Sequence, residues 1–104
     1  MDYKLYTNLC KEQEYIGCLV KAFKHKEYAI QYRVGSYKID LYFLDINLAI
    51  ECDELNHKYR NTEYESTREL YIKDQLKCEF LRFNPDDKDF CVFDLINEIM
   101  KYYS

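Results

Sequence analysis

The chain has 104 residues, with 15 Lys and Arg against 19 Asp and Glu, for a formal net charge of −4. That length makes a single domain, residues 1–104, with room for one core that needs no disulfide or metal staple, and two Gly and one Pro exclude a flexible linker or low-complexity tail. The acidic balance counts against a protein that grips nucleic acid by general electrostatics, although an acid cluster that holds a metal ion carries negative charge that the ion offsets locally.

Five cysteines, at 10, 18, 52, 78 and 91, are odd in number and share no CxxC spacing, so reduced, buried thiols are expected. Twelve Tyr without a Trp fit an AT-rich coding composition and carry little functional weight. No charged-then-apolar leader opens the chain and no apolar run approaches a membrane span. The expected location is therefore intracellular rather than secreted, with no membrane partner.

In chain order, the spacing of Leu9, Ile16, Leu19, Val20 and Phe23 predicts a first helix over 7–24, with Thr7 or Asn8 as its cap. Glu12 falls on or beside the apolar stripe; either it pairs with a nearby lysine or it serves a site. Lys21, Lys24, His25 and Lys26 follow as a basic group suited to a solvated helix C-terminus. Residues 28–34, YAIQYRV, read as a strand that leads into the Gly35-Ser36 turn.

The stretch GSYKIDLYFLDINLAIECDELNH, residues 35–57, carries acids where apolar residues would be expected. Tyr37, Ile39, Leu41 and Phe43 alternate with Lys38, Asp40 and Tyr42; Leu48, Ile50 and Cys52 alternate with Ala49, Glu51 and Asp53. Each run thus has an apolar face and a face that bears carboxylates. In an antiparallel hairpin turning at Asp45 and Ile46, the apolar faces coincide when Asp40 lies opposite Glu51, Tyr42 opposite Ala49 and Lys38 opposite Asp53. A slip of one residue would set Asp40 among Ile50 and Cys52, a costly place for an unpaired charge. Facing carboxylates repel, so the arrangement calls for a cation, either Lys38 or a divalent metal.

Beyond the hairpin, Thr62 and Glu65 form a capping box for a helix that runs to about residue 77. Arg68 shares a face of that helix with Ile72 and Leu76, where a guanidinium needs a carboxylate or a phosphate. CEFLRF, residues 78–83, is a fourth strand ended by Asn84-Pro85, and Asp89 is the expected cap of a last helix whose stripe is Val92, Phe93, Ile96, Ile99, Met100 and Tyr103. The order αβββαβα, with a helix joining the third and fourth strands, predicts an α/β domain with a mixed four-stranded sheet flanked by helices.

The acid-bearing helix, Asp40, the hairpin turn and Glu51-Cys52-Asp53 together resemble the core of the PD-(D/E)xK, or restriction-endonuclease-like, nucleases. Within that superfamily the pattern looks closest to the very-short-patch repair endonuclease group, in which Asp, Glu-x-Asp and a following His replace the usual Glu-x-Lys. The stretch YRVGSYKIDLYFLDINLAIECDELNH, with Arg68 and LRFNP at 81–85, also looks like nuclease-like domains in proteins of large DNA viruses, which often sit beside KilA-N or similar DNA-binding modules.

The resemblance implies a restriction-endonuclease-like core and a Mg2+-dependent deoxyribonuclease, with Mn2+ as a substitute metal. It implies Asp40, Glu51 and the Cys52 backbone carbonyl as metal ligands, Glu12 approaching from the helix, and Lys38, Lys58, Arg60 and Arg68 on DNA phosphates. Asp53 stands where most of the superfamily has a lysine that orients or activates water. His57 is the best match for that task because its pKa lies near neutrality; Lys38, across the hairpin, is the second candidate. The expected partner is DNA, and a homodimer is left open. The alternative is a nuclease-like module without turnover that binds DNA or protein. The missing lysine and the acidic net charge favour the module, and retention of every carboxylate in the pattern favours the enzyme.

Overall fold

The computed structural model describes the backbone of residues 3–53 and 62–104, and the side chains of these from residue 11 onward. The described elements are α1 (Tyr3–Ala22), β1 (Tyr28–Val34), β2 (Tyr37–Phe43), β3 (Leu48–Cys52), α2 (Thr62–Leu76), β4 (Glu79–Phe83) and α3 (Val92–Tyr103). They follow the order expected from the sequence. The four strands form one sheet in the order β1-β2-β3-β4. The first two pairings are antiparallel and β3 runs parallel to β4, as the helical crossover between them requires.

The sheet is the middle of three layers. On one side Ile16 and Leu19 of α1, Phe23 just past its end, and Leu95 and Ile99 of α3 pack on Leu41, Phe43, Leu48, Ile50, Cys52 and Phe83. On the other, Ile72 of α2 packs with Val34, Ile39, Tyr42, Ala49 and Cys78. Covered on both faces, every residue of β3 is buried. Each fully buried Leu, Ile or Phe in these clusters contributes about 1.5–3 kcal/mol by leaving water. Among the described residues no helix is long and apolar enough to cross a membrane.

Several boundaries differ from expectation. Helix α1 begins at Tyr3, so Thr7 and Asn8 lie inside it rather than capping it. It ends at Ala22 because the Lys26 amide turns back to the Phe23 carbonyl at 2.9 Å, leaving Lys24, His25 and Lys26 beyond the last turn. Helix α3 is capped by the extended Cys91, with no side-chain hydrogen bond, and not by Asp89, whose own amide is held by Asp87 Oδ1 at 2.9 Å. Of the cysteines with described side chains, Cys52 and Cys78 are buried as expected, Cys18 is partly covered and Cys91 is exposed.

The β2–β3 register is the expected one, with Leu41 opposite Ile50, Tyr42 opposite Ala49 and Phe43 opposite Leu48. The expected single apolar face of β2 is corrected. Leu41 and Phe43 join the layer of α1 and α3, whereas Ile39, with Tyr37 packed beside it, joins the layer of α2. Strand β1 changes sides with it: Tyr28 lies against the first cluster, and Tyr32 and Val34 belong to the second. The exchange falls at Gln31 and Asp40, which the β1–β2 pairing skips between Ile30↔Leu41 and Tyr32↔Ile39. Gln31 has φ 53°, and one left-handed residue breaks the alternation of an extended strand. Both strands therefore turn over together at the position of the acid.

Candidate functional site

Glu51 lies near the C-terminal end of the central strand, on the side of the sheet that faces α2, and is only 5% exposed. A carboxylate so placed requires partners. Arg68 supplies one from α2: its Nη2 donates both to Glu51 Oε1 and to the Lys38 carbonyl. Asp40 supplies the other. Its Oδ2 accepts the Cys52 amide at 2.8 Å, where the β2–β3 ladder has stopped, and its carboxyl group is hydrogen-bonded to that of Glu51. The two acids thus meet across the hairpin as the register predicts.

Burial, and then the neighbouring charge of Asp40, push the Glu51 carboxyl up to about 8 against the opposing pull of Arg68. Near neutrality Glu51 therefore holds its proton. Two touching carboxylates and a single guanidinium leave the pair one positive charge short, and the proton makes up the difference. The donors are hard oxygens, the kind a magnesium-sized ion takes. Asp40, Glu51 and the carbonyl of Cys52 fit such an ion in kind and in charge. Among the described residues no three His, Cys, Asp or Glu side chains converge on one point, so the protein side chains would contribute the two acids and leave further positions to backbone, water and phosphate.

Beside this pair lies a second ionic group. Asp53, just past β3, has its amide on the Phe83 carbonyl at 2.7 Å, and its Oδ1 accepts from Arg82 Nη1 at 3.1 Å. Arg82 also donates to Glu69 of α2 through Nη2 at 2.7 Å and Nε at 3.3 Å. Lys73 reaches the same Glu69 at 3.3 Å. The hydrogen bond from Arg82 holds the Glu69 carboxyl below its ordinary range. All three guanidinium nitrogens of Arg82 are engaged, so it ties β3, β4 and α2 together at the edge of the site. Arg82 is not among the site residues expected from the sequence. It shows there only as a cation between Leu81 and Phe83, and its place opposite Glu51 depends on the parallel register of β3 and β4.

The other expected site residues divide into three sets. Cys52 points its sulfur into the core with Ile50 and Phe83, leaving the backbone as its polar part. The expected place of Lys38 opposite Asp53 is corrected: Lys38 pairs with Arg33 of β1, its side chain is exposed, and the ladder to β3 ends at Leu41↔Ile50. The physical reason is that Asp40 takes the Cys52 amide, so only the Lys38 carbonyl joins the site, through Arg68. Glu12, half-buried on α1, precedes Ile16 and Leu19 on the stripe that packs on the opposite layer, while the groups that shift Glu51 are Asp40 and Arg68. His57, Lys58 and Arg60 lie outside the described residues.

Compared with protein-family models, with curated proteins and with solved structures, the chain matches none.

Proposed function

We propose that this domain is a metal-dependent DNA endonuclease of the restriction-endonuclease-like type, hydrolysing phosphodiester bonds at the Asp40–Glu51 pair. The supporting observation is that contact. Two carboxylates brought together across a hairpin, one of them buried and balanced by Arg68 and a bound proton, present paired oxygen donors that a divalent cation can take over from both.

In this reading Asp40, Glu51 and the Cys52 carbonyl hold Mg2+, and Mn2+ can replace it. A divalent ion bound there supplies charge stabilisation for the pentavalent phosphorane and lowers the pKa of an attacking water. Asp40 is held for the task by the Cys52 amide, which fixes its Oδ2. Asp53, where the superfamily pattern has a lysine, brings Arg82 to the edge of the site, so a positive charge returns to that corner from the neighbouring strand. His57 accepts the proton from water, and Lys58 and Arg60 take the phosphates of DNA; Glu12, on the helix across the sheet, has no part in this step. The second reading, a module without turnover that binds DNA or protein, is favoured by one observation: Arg68 and Arg82 already meet Glu51 and Asp53.

The test is incubation of the purified protein with supercoiled plasmid and Mg2+ or Mn2+, beside Asp40→Asn and Glu51→Gln. Relaxation by the wild type alone is expected. Equal activity in all three places the chemistry elsewhere, and no activity in any supports the module.

A further inference from the structure

The two arginines on the α2 side of the sheet are held in different ways. Arg82 spends Nη1 on Asp53 and both Nη2 and Nε on Glu69. Arg68 makes both of its hydrogen bonds from Nη2, one to Glu51 Oε1 and one to the Lys38 carbonyl. A guanidinium that uses its planar fork on a carboxylate makes two parallel bonds and is firmly fixed; Arg68 touches Glu51 through a single nitrogen. Its helix is nevertheless anchored, because the next residue, Glu69, is the one that Arg82 of β4 holds.

We infer that Arg68 is a displaceable counter-ion: it yields Glu51 when a divalent cation binds at the Asp40–Glu51 pair, pivots on the Lys38 carbonyl, and presents its guanidinium to a phosphodiester of the nucleic acid. This rests on the metal-site reading above. Charge drives the exchange. Two carboxylates match one divalent ion, so Arg68 becomes surplus at Glu51 while a phosphodiester brought to the ion needs a cation of its own. The geometry separates the two arginines by role: Arg82 keeps α2 in register with β3 and β4, and the Arg68 side chain moves on that fixed backbone.

The experiment is calorimetric titration of Mn2+ into the wild type, Arg68→Ala and Arg68→Lys, each first shown to unfold cooperatively. Removal of a competing hydrogen bond to a charged group should tighten Mn2+ binding by about tenfold in Arg68→Ala. Arg68→Lys, which keeps the charge, should stay near the wild type. In parallel, the Arg68 Nε–Hε resonance of the wild type should move on addition of Mg2+, a readout that does not depend on the variants folding. With Ca2+ present, Arg68→Ala should bind a DNA duplex about tenfold more weakly than the wild type, and without Ca2+ the two should differ by less. Wild-type Mn2+ binding that is equal to or tighter than that of Arg68→Ala, or an unmoved Arg68 resonance in a metal-bound protein, overturns the displacement and leaves the metal site standing. A DNA affinity that depends on Arg68 equally with and without Ca2+ overturns the second half. Absence of metal uptake in every variant removes the metal site itself.

Discussion

The Cys52 amide donates to Asp40 Oδ2 at 2.8 Å just beyond the last paired residues of β2 and β3, so the acid side chain stands in for a strand. That bond holds Asp40 in contact with Glu51 and also ends the ladder that would have carried Lys38 toward Asp53. Substitutions at Asp40 separate its hydrogen bond from its charge. Asp40→Asn keeps an acceptor for the amide and should unfold in urea within about 1 kcal/mol of the wild type, whereas Asp40→Ala leaves the amide unsatisfied and should lose about 1–3 kcal/mol. Equal losses in the two variants would mean that the charge, and not the hydrogen bond, carries the contribution.

The raised Glu51 carboxyl makes stability depend on pH. Its ordinary value is 4.5 and burial, with the Asp40 charge second, lifts it to about 8, so the folded chain binds this proton more tightly than the unfolded chain. The resulting stabilisation is complete below the unfolded value and is lost as pH rises toward and through the folded one, with a slope of at most about 1.4 kcal/mol per pH unit. Urea midpoints of the wild type should therefore fall between about pH 5 and about pH 8. Glu51→Gln, which does not titrate, should flatten the profile over that window; an unchanged slope would assign the effect to another group.

Arg82 joins Asp53 and Glu69, with its own side chain and that of Glu69 each 31% exposed. Solvent screens such a group in part, so Arg82→Gln should cost about 1 kcal/mol rather than the several expected of a dry ion pair. A double-mutant cycle with Glu69→Gln should show coupling of about 0.5–1 kcal/mol. Strict additivity would show that the two side chains do not interact in solution.

Asn47 sits at φ 50° in the turn between β2 and β3, accepts from the Tyr42 hydroxyl and donates through Nδ2 to the Leu76 carbonyl at 2.8 Å and the Lys77 carbonyl at 3.0 Å. One side chain thus caps the C-terminus of α2 from the far hairpin. Asn47→Gly tolerates the backbone angle but loses all three bonds; Asn47→Asp keeps the acceptor and sets a negative charge against the carbonyl end of the helix. Both should lower the melting temperature, and Asn47→Asp should do so more, by about 2 kcal/mol or more in stability. Calorimetric melts of the two variants check the order.

Much of this was open to reading from the residues. Alternation in 37–43 and 48–52, the helical spacing around Leu19 and Ile99, and the turn residues between them determine the element order and, through the requirement that apolar faces coincide, the hairpin register that sets Asp40 against Glu51. Arg68 on an apolar face likewise called for a carboxylate or a phosphate, and it meets the carboxylate of Glu51. Periodicity reports which neighbours share a side only while a strand stays regular, so it could not show the turnover at Gln31 and Asp40 that sends Ile39 to the layer of α2. Nor could it find Arg82, because the contact with Asp53 and Glu69 joins segments far apart in the chain and depends on how β4 aligns with β3. Local chemistry fixed the acids and their pairing; which cation meets which acid was decided by packing between layers, where distance and burial, rather than sequence neighbours, set the energy of a charge.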